Sequence, residues 1–492
     1  MIDFSAFQYQ GDKEFYRFQE PVSRDYRVYL NGREIPVYTC SISAWPFNTI
    51  WPGHQRPVSQ TVGASFVNLV CDEAVTLEVE PLIPCERPLL KPYSRHVEME
   101  KTNGRCRFTL TKNGGYVFMC GTYQHCLYIF NSRPSLCEDL ASVTHYFGPG
   151  IHFAGKITLH DNESLYVDKD ALVYGCIYAR GASNVRVFGN GLFDDSTEER
   201  VGNYCYEEYT NGNIKFYDCE NVSVEGVLFR NSAIWCVNLF GCRCVKLDDV
   251  KVFGQWRYNT DGVDVVNSQD ISIENSFIHS FDDTITIKGI DVYKEISNQR
   301  IHVKNCVLWC DWGKTCEVGI ETVCREYSDI SFTHCDILRA GNTALDIQSG
   351  DCAEIHDILY ADINVEYNAF DSPPLYQARE DQVYDLADQH DIPHLVSIRN
   401  YPFKTPDNIQ AWGLADGPLP DLTGIHPGCV RDVTVRNINV WYDPLLPLKD
   451  GKYDVRVIVQ RDRGETPFSN IRVEGISVNE KPYEDYETQI CL

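Results

Sequence analysis

The feature that most constrains this chain is a short motif that keeps returning. A polar residue, an aliphatic, any residue and a second aliphatic recur as Asn184-Val185-Arg186-Val187, Asn221-Val222-Ser223-Val224 and Cys244-Val245-Lys246-Leu247. They continue as Asp270-Ile271-Ser272-Ile273, Arg300-Ile301-His302-Val303, Asp329-Ile330-Ser331-Phe332 and Asp357-Ile358-Leu359. The first aliphatic positions step by 37, 23, 26, 30, 29 and 28 residues. Helical repeats share such periods, but these units alternate β-branched and polar residues and carry no long 3.6-residue pattern. One unit cannot bury its own apolar face; stacking them, one per coil, makes a continuous core. The pattern predicts a right-handed parallel β-helix. Val433-Thr434-Val435 and Asn470-Ile471-Arg472-Val473 read as later coils. Residues 367–428, rich in Pro, Asp and Gln, read as a loop insertion before them.

Ahead of the repeat the period changes. Arg27-Val28-Tyr29-Leu30 before Asn31-Gly32, Val75 to Val79, Cys106 to Leu110, Gly115 to Phe118 and Cys126 to Phe130 alternate in twos between turn residues. That pattern predicts an antiparallel β-sandwich. The expected organisation is all-β: a sandwich domain over residues 1–140, then the β-helix over 141–492. The sandwich shows no catalytic constellation, so packing or the shaping of a groove is its expected role.

Composition narrows the partners. Lys and Arg number 44 against 70 Asp and Glu, a net charge of −26, which repels nucleic acid, anionic membrane and polyanionic polysaccharide at long range. No apolar run approaches roughly 18 residues, and Met1-Ile2-Asp3-Phe4-Ser5 has neither the basic start nor the apolar stretch of a secretory leader. The 21 cysteines follow no repeated spacing and read as reduced thiols, from which a cytoplasmic location is expected. Neither Cys306 with Cys310 nor Cys242 with Cys244 has the paired spacing of a zinc site, so no metal and no cofactor is expected. Whether the chain forms a homo-oligomer is left open.

The chemistry concentrates in two neighbouring repeats. Asn259-Thr260-Asp261-Gly262 precedes Phe281-Asp282-Asp283-Thr284-Ile285-Thr286-Ile287-Lys288, so Asp282 and Asp283 follow Asp261 by 21 and 22 residues. That is about one coil, which sets three carboxyls side by side on one surface. Such a cluster suits glycosidic hydrolysis, in which one acid keeps its proton and another ionises and activates water. In a regular strand Asp283 would share the inward parity of Ile285 and Ile287. Burial of an ionised carboxylate in that core costs several kcal/mol or more. The backbone is therefore expected to bend between Asp283 and Ile285, with Gly262 absorbing the bend beside Asp261. Trp256, Tyr258 and Trp312 flank these motifs and are candidates for stacking on sugar rings, with Trp235 one coil earlier. Asn259, Lys288 and Glu321 are further candidates for contact with substrate.

With these motifs in place, residues of about 146–365 resemble glycoside hydrolase family 28, the polygalacturonase and rhamnogalacturonase group. The resemblance rests on His152 in Gly148-Pro149-Gly150-Ile151-His152, the segment Val224 to Ser232, the Asn-Thr-Asp-Gly and Asp-Asp motifs and the 21-residue interval. The family 49 dextranases are more distantly similar and also place a β-sandwich before a β-helix. The resemblance implies that Asp282 is the general acid, that Asp261 and Asp283 hold and deprotonate the water, and that the anomeric centre is inverted.

The departures carry information too. Lys314, in Gly313 to Glu321, stands where the family has a catalytic-site His, and a lysine does not titrate as imidazole does. Asp346 and Gln348, in Ala344 to Gly350, stand where the family has two cations that grip a uronate. Arg and Lys hold carboxylates by charge; Asp repels them and suits neutral hydroxyls. The expectation is an inverting, exo-acting hydrolase of a neutral glycan or oligosaccharide, an α-linked hexose for example. The rivals are a uronide-active polygalacturonase, a lyase on the same scaffold and a non-catalytic carbohydrate-binding β-helix.

Overall fold

The computed structural model describes residues 2–7, 20–44, 47–48, 58–199, 212–371, 375–376, 392–400, 428–461 and 467–491. From His145 onward the described strands other than Leu375–Tyr376 join one 29-stranded sheet that winds into a right-handed parallel β-helix. Three ladders run along it. One stacks the recurring motif, as in Gln269–Glu274 on Arg243–Asp248. A second carries Lys251–Phe253, Phe277–Ser280 and Val307–Cys310, and a third carries Val263–Val266, Ile285–Gly289 and Lys314–Thr322.

The recurring motif has a backbone explanation. Its leading polar residue takes a left-handed conformation in coil after coil: Asn184, Asn221, Cys244, Asp270, Arg300, Asp329 and Asp357 have φ between 53° and 60°. Asn and Asp tolerate this region best because their short polar side chains bond locally. Here they also bond along the stack, Asn221 Nδ2 to Asn184 Oδ1 at 2.6 Å and Asn184 Nδ2 to Asn162 Oδ1 at 2.9 Å. Arg300 tolerates the position with its guanidinium fixed on Asp270, Nε to Oδ1 at 2.6 Å. The following aliphatics, such as Val222, Val245, Ile271, Ile301 and Ile330, then point inward as one core.

The N-terminal strands form two sheets. One of five strands includes Tyr26–Leu30, Val75–Pro81 and Arg105–Leu110; one of six includes Tyr38–Ser43, Thr61–Val70, Gly114–Cys120 and Leu127–Ser132. Val28, Leu77 and Phe108 of the first meet Leu69, Phe118 and Ile129 of the second. The sandwich is not wholly antiparallel: Leu127–Ser132 runs parallel to Thr61–Val70. The outer face of the six-stranded sheet, with Phe66, Val117, Tyr128 and Phe130, lies on the second ladder of the helix. There it meets one apolar residue after another: Leu172, Leu192, Leu228, Phe253, Phe277 and Val307. Gly115 lets the sheet come that close, since a Cβ there would stand 2.2 Å from the Phe277 ring.

Within the expected insertion, His394–Asn400 is a coil strand, paired with Thr343–Ser349 and Arg456–Arg461. Leu375–Tyr376 pairs with Phe47–Asn48. Of that segment, 372–374, 377–391 and 401–427 lie outside the described residues. Cys85 and Cys120 are joined as a disulfide, against the expectation of free thiols throughout. Other cysteines, Cys236, Cys316 and Cys335 among them, are buried free thiols.

Phe277 joins the sandwich to the coils, so Phe277→Ala should destabilise the protein by about 3–5 kcal/mol. Urea titration followed by tryptophan fluorescence measures it, and a loss below about 1 kcal/mol would mean the two parts do not support one another.

Candidate active site

Thr260 and Asp261 stack directly on the next coil. Gly262 N–H donates to the Asp283 carbonyl at 2.8 Å, and the N–H groups of Phe281 and Asp282 donate to the Thr260 carbonyl at 3.1 and 3.3 Å. The expected bend is present: the strand Phe277–Ser280 ends before the acids and Ile285–Gly289 begins after them. Ile285 and Ile287 are buried in the core. Ser280 Oγ donates to the Asp282 carbonyl at 2.6 Å, and the Cys310 thiol donates to the same oxygen at 3.2 Å. Gly262 serves differently from the expectation. Its φ is not in the left-handed region; it lacks a Cβ because one would stand 2.4 Å from both Ile278 Cγ2 and the Thr284 carbonyl.

The three acids converge. A Cβ on Gly313 would stand 2.4 Å from Asp283 Oδ1 and 2.7 Å from Asp282 Oδ1, so both carboxyls lean over that glycine. Lys288 Nζ lies 2.8 Å from Asp261 Oδ2, 2.9 Å from Asp264 Oδ1 and 3.7 Å from Asp283 Oδ2. The same ammonium sits 4.0 Å from the centre of the Trp235 ring. On the far side Lys314 N–H donates to Asp283 Oδ1 at 3.0 Å, while Lys314 Nζ lies 3.8 Å from that oxygen and 3.2 Å from Glu317 Oε1.

These surroundings separate the acids. Burial, with repulsion from Asp261 and Asp283, pushes the Asp282 carboxyl well above its ordinary range. Asp283 is buried as well, but Lys314 and Lys288 outweigh that cost and hold it below the ordinary range. Burial pushes Asp261 well up despite Lys288, with Asp264 and Asp283 adding to the rise. Burial raises Asp264 from 3.8 to about 7 against the pull of Lys288. Burial opposes the charge of both lysines, yet the surrounding carboxylates hold both ammoniums protonated far above the ordinary lysine value. The arrangement offers a retained proton on Asp282 beside an ionised Asp283, the pairing that acid–base hydrolysis needs.

The candidates do not all gather at one place. Asp261, Asp282, Asp283, Asn259, Lys288 and Lys314 meet in one cluster, Asn259 Nδ2 donating to Asp261 Oδ1 at 3.3 Å. Lys288, read as a contact for substrate, is instead a buried counter-ion with 4 % of its side chain exposed. Asp346 likewise is buried, bonded by Gln348 Nε2 at 2.7 Å, and pairs in register with Glu317 one coil below. Trp256 and Trp312 are buried rather than open platforms; Trp256 Nε1 donates to Asn231 Oδ1 at 3.2 Å. Tyr258 and Glu321 are partly exposed, and the Glu321 charge acts on Lys288. His152 lies in the early strand Gly150–Leu159, coils away from the acids, with Nε2 2.7 Å from the Gly148 carbonyl.

Asp264 and Glu317 were missed. Both occupy outward positions between buried apolar residues, in Val263-Asp264-Val265 and Cys316-Glu317-Val318. Such a position reads as surface in the sequence; here it is buried, because the neighbouring residues on that wall cover it. Among the described residues no group of His, Cys, Asp or Glu is arranged to hold a metal ion.

Comparison with known proteins points the same way. Residues 140–371 match the family model of Glycosyl hydrolases family 28. Relatives include the probable exopolygalacturonase B of Aspergillus fumigatus, 23% identical over 145 residues, which are 27% of this chain and 30% of the relative. Another is the probable polygalacturonase At1g80170 of Arabidopsis thaliana, 28% identical over 129 residues, 25% of this chain and 29% of the relative. The chain thus spans about 30% of the length of the curated relatives it matches. Dex49A from Penicillium minioluteum shares the fold across 96% of both chains, with a TM-score of 0.54 at 12% identity.

Asp264 supplies a test of this electrostatic arrangement. Its folded pKa of about 7 exceeds the ordinary 3.8, so its contribution to stability is full below about pH 4 and is lost as the pH rises through about 7. Asp264→Asn removes that loss. Urea titrations across this window should therefore show the variant gaining on the wild type as the pH rises; a constant difference would contradict the assignment.

Proposed function

We propose that this chain is an inverting glycoside hydrolase that acts on a neutral oligosaccharide from its end. The observation that carries the reading is the Asp282–Asp283 turn, where both carboxyls lean over Gly313 and only Asp283 is met by the Lys314 N–H and by Lys288, which favours its ionisation and a retained proton on Asp282. Asp282 donates its proton to the glycosidic oxygen as the bond from the anomeric carbon breaks. Water held between Asp261 and Asp283 attacks that carbon from the opposite face and gives its proton to Asp283. The product is a hemiacetal of inverted configuration, and Asp282 and Asp283 exchange protons with solvent before the next turnover. The match to family 28 supports the reaction class.

The neutral substrate is supported by the pairing of the charges. Lys288 is committed to Asp261 and Asp264, and Lys314 to Glu317 and Asp283. Asp346 and Gln348 bond each other where the family resemblance places uronate-gripping cations. A uronate brought here meets a carboxyl-rich wall. The name of the Aspergillus relative supports action from the chain end. The relatives' names also favour a second reading, hydrolysis of polygalacturonate.

Asp282→Asn should lower kcat by about 10²–10⁴-fold, the range a general acid contributes. Product followed by NMR on neutral α-linked oligosaccharides should show the inverted anomer first. Faster release from polygalacturonate would replace the neutral reading with the second one. An unsaturated, ultraviolet-absorbing product would replace hydrolysis with elimination.

A further inference from the structure

Most of the contact between sandwich and coils is apolar, with Phe253, Phe277, Val307 and Leu338 facing the sheet. Polar pairs cross it at several coils, Lys91 with Glu366, Ser94 with Asp336 and Asn68 with the Asn190 carbonyl among them, and one lies at the coils that bear the acids. Tyr128 OH, from the sandwich strand Leu127–Ser132, meets His279 Nδ1 at 2.6 Å, with both residues fully buried. The His279 ring stacks on Trp309, centroids 4.1 Å apart, and its Nε2 lies 3.1 Å from Asp311 Oδ1 at an angle too oblique for a well-directed hydrogen bond. Trp309 Nε1 donates to the same Asp311 oxygen at 3.0 Å, and Arg339 Nη1 faces it at 3.8 Å.

Burying a phenol, an imidazole and a carboxylate costs several kcal/mol unless each is paired, and apolar residues of similar volume usually hold an interface as well. What hydrogen-bonded groups add is direction. His279 lies three residues before Asp282 in the same chain segment. The residues after Asp311 close over that segment: Asp311 N–H donates to the Ser280 carbonyl at 3.1 Å and Trp312 N–H to the Phe281 carbonyl at 2.8 Å. Asp283 is gripped from the other side, by Lys314 N–H and Lys288. The sandwich contact therefore bears on Asp282 in particular.

We propose that the sandwich is part of the catalytic apparatus: Tyr128, acting through His279 and Asp311, is a positioning residue that aims the Asp282 carboxyl at the leaving oxygen. This rests on the glycosidase reading above.

The test exploits the leaving group. An α-hexosyl fluoride needs far less proton donation than a disaccharide, so a misaimed acid should matter little to it. Tyr128→Phe keeps the ring and removes only the hydroxyl. With α-glucosyl, α-galactosyl and α-mannosyl fluorides set against α-linked disaccharides of the same sugars, the variant should lose about tenfold or more in kcat on the disaccharide, with KM within about twofold and the fluoride rate nearly unchanged. Equal losses on both substrates, or none, would overturn the proposal. If Tyr128→Phe fails to fold, Asp311→Asn is read by the same two rates. A wild-type protein inert on fluorides, disaccharides and polygalacturonate alike would sink the glycosidase reading and this inference with it. An active wild type with unselective variants would sink this inference alone.

Discussion

Six carboxyl groups, those of Asp261, Asp264, Asp282, Asp283, Glu317 and Asp346, share one buried stretch of coil wall with two ammonium groups, Lys288 and Lys314. Low-dielectric surroundings do not permit six charges against two, so protons must stay in the cluster. Which acids keep them follows from burial and neighbouring carboxylates set against the lysines: Asp261 and Asp264 touch Lys288 and are still pushed up. Asp283 lies between both and ionises; Asp282, farther from them and pressed by Asp261 and Asp283, does not. Lys288 has a second task, since its ammonium ties successive coils together by bridging Asp261 and Asp264 from the strand above. Removing it would disturb both the shape of the site and its protonation.

The β-helix makes this density of charge attainable. Parallel stacking repeats the same backbone positions in coil after coil, so residues some 20 to 30 positions apart in sequence become neighbours. Backbone hydrogen bonds from one turn to the next hold Thr260 and Asp261 over Phe281 to Asp283, and those over Asp311 to Lys314. Each layer is fixed by the one beside it, which spares the acids the cost of being ordered when substrate arrives. The sandwich adds a rigid wall on the second ladder, largely apolar, with a buried hydrogen bond between Tyr128 and His279 close to the acids.

The repeat was readable because its polar leader and two aliphatics report a backbone requirement: a left-handed residue followed by two inward side chains. The acid motifs were readable for a related reason, since an interval of about one coil in a stacked fold implies contact. The bend after Asp283 followed from the cost of turning a charged carboxylate toward Ile285 and Ile287. Other features were less legible. Asp264 and Glu317 look like solvent-facing polar positions in an alternating strand, and nothing local marks them as covered. Lys288 and Asp346 resembled substrate contacts because their burial depends on side chains from adjacent coils. The role of Gly262 was misread for the same reason: its constraint comes from Thr284, one coil away, and not from its own φ.

Local sequence thus determined the coil, its period, the bend and the three acids brought to one surface, because each depends on backbone preference or on the burial of a side chain within a few residues. Only the tertiary structure decided which carboxyls share a lysine, which lose their protons and where the sandwich touches the acid turn. Those outcomes depend on distances between atoms from different coils and on the water excluded from between them, and no stretch of sequence specifies either quantity alone.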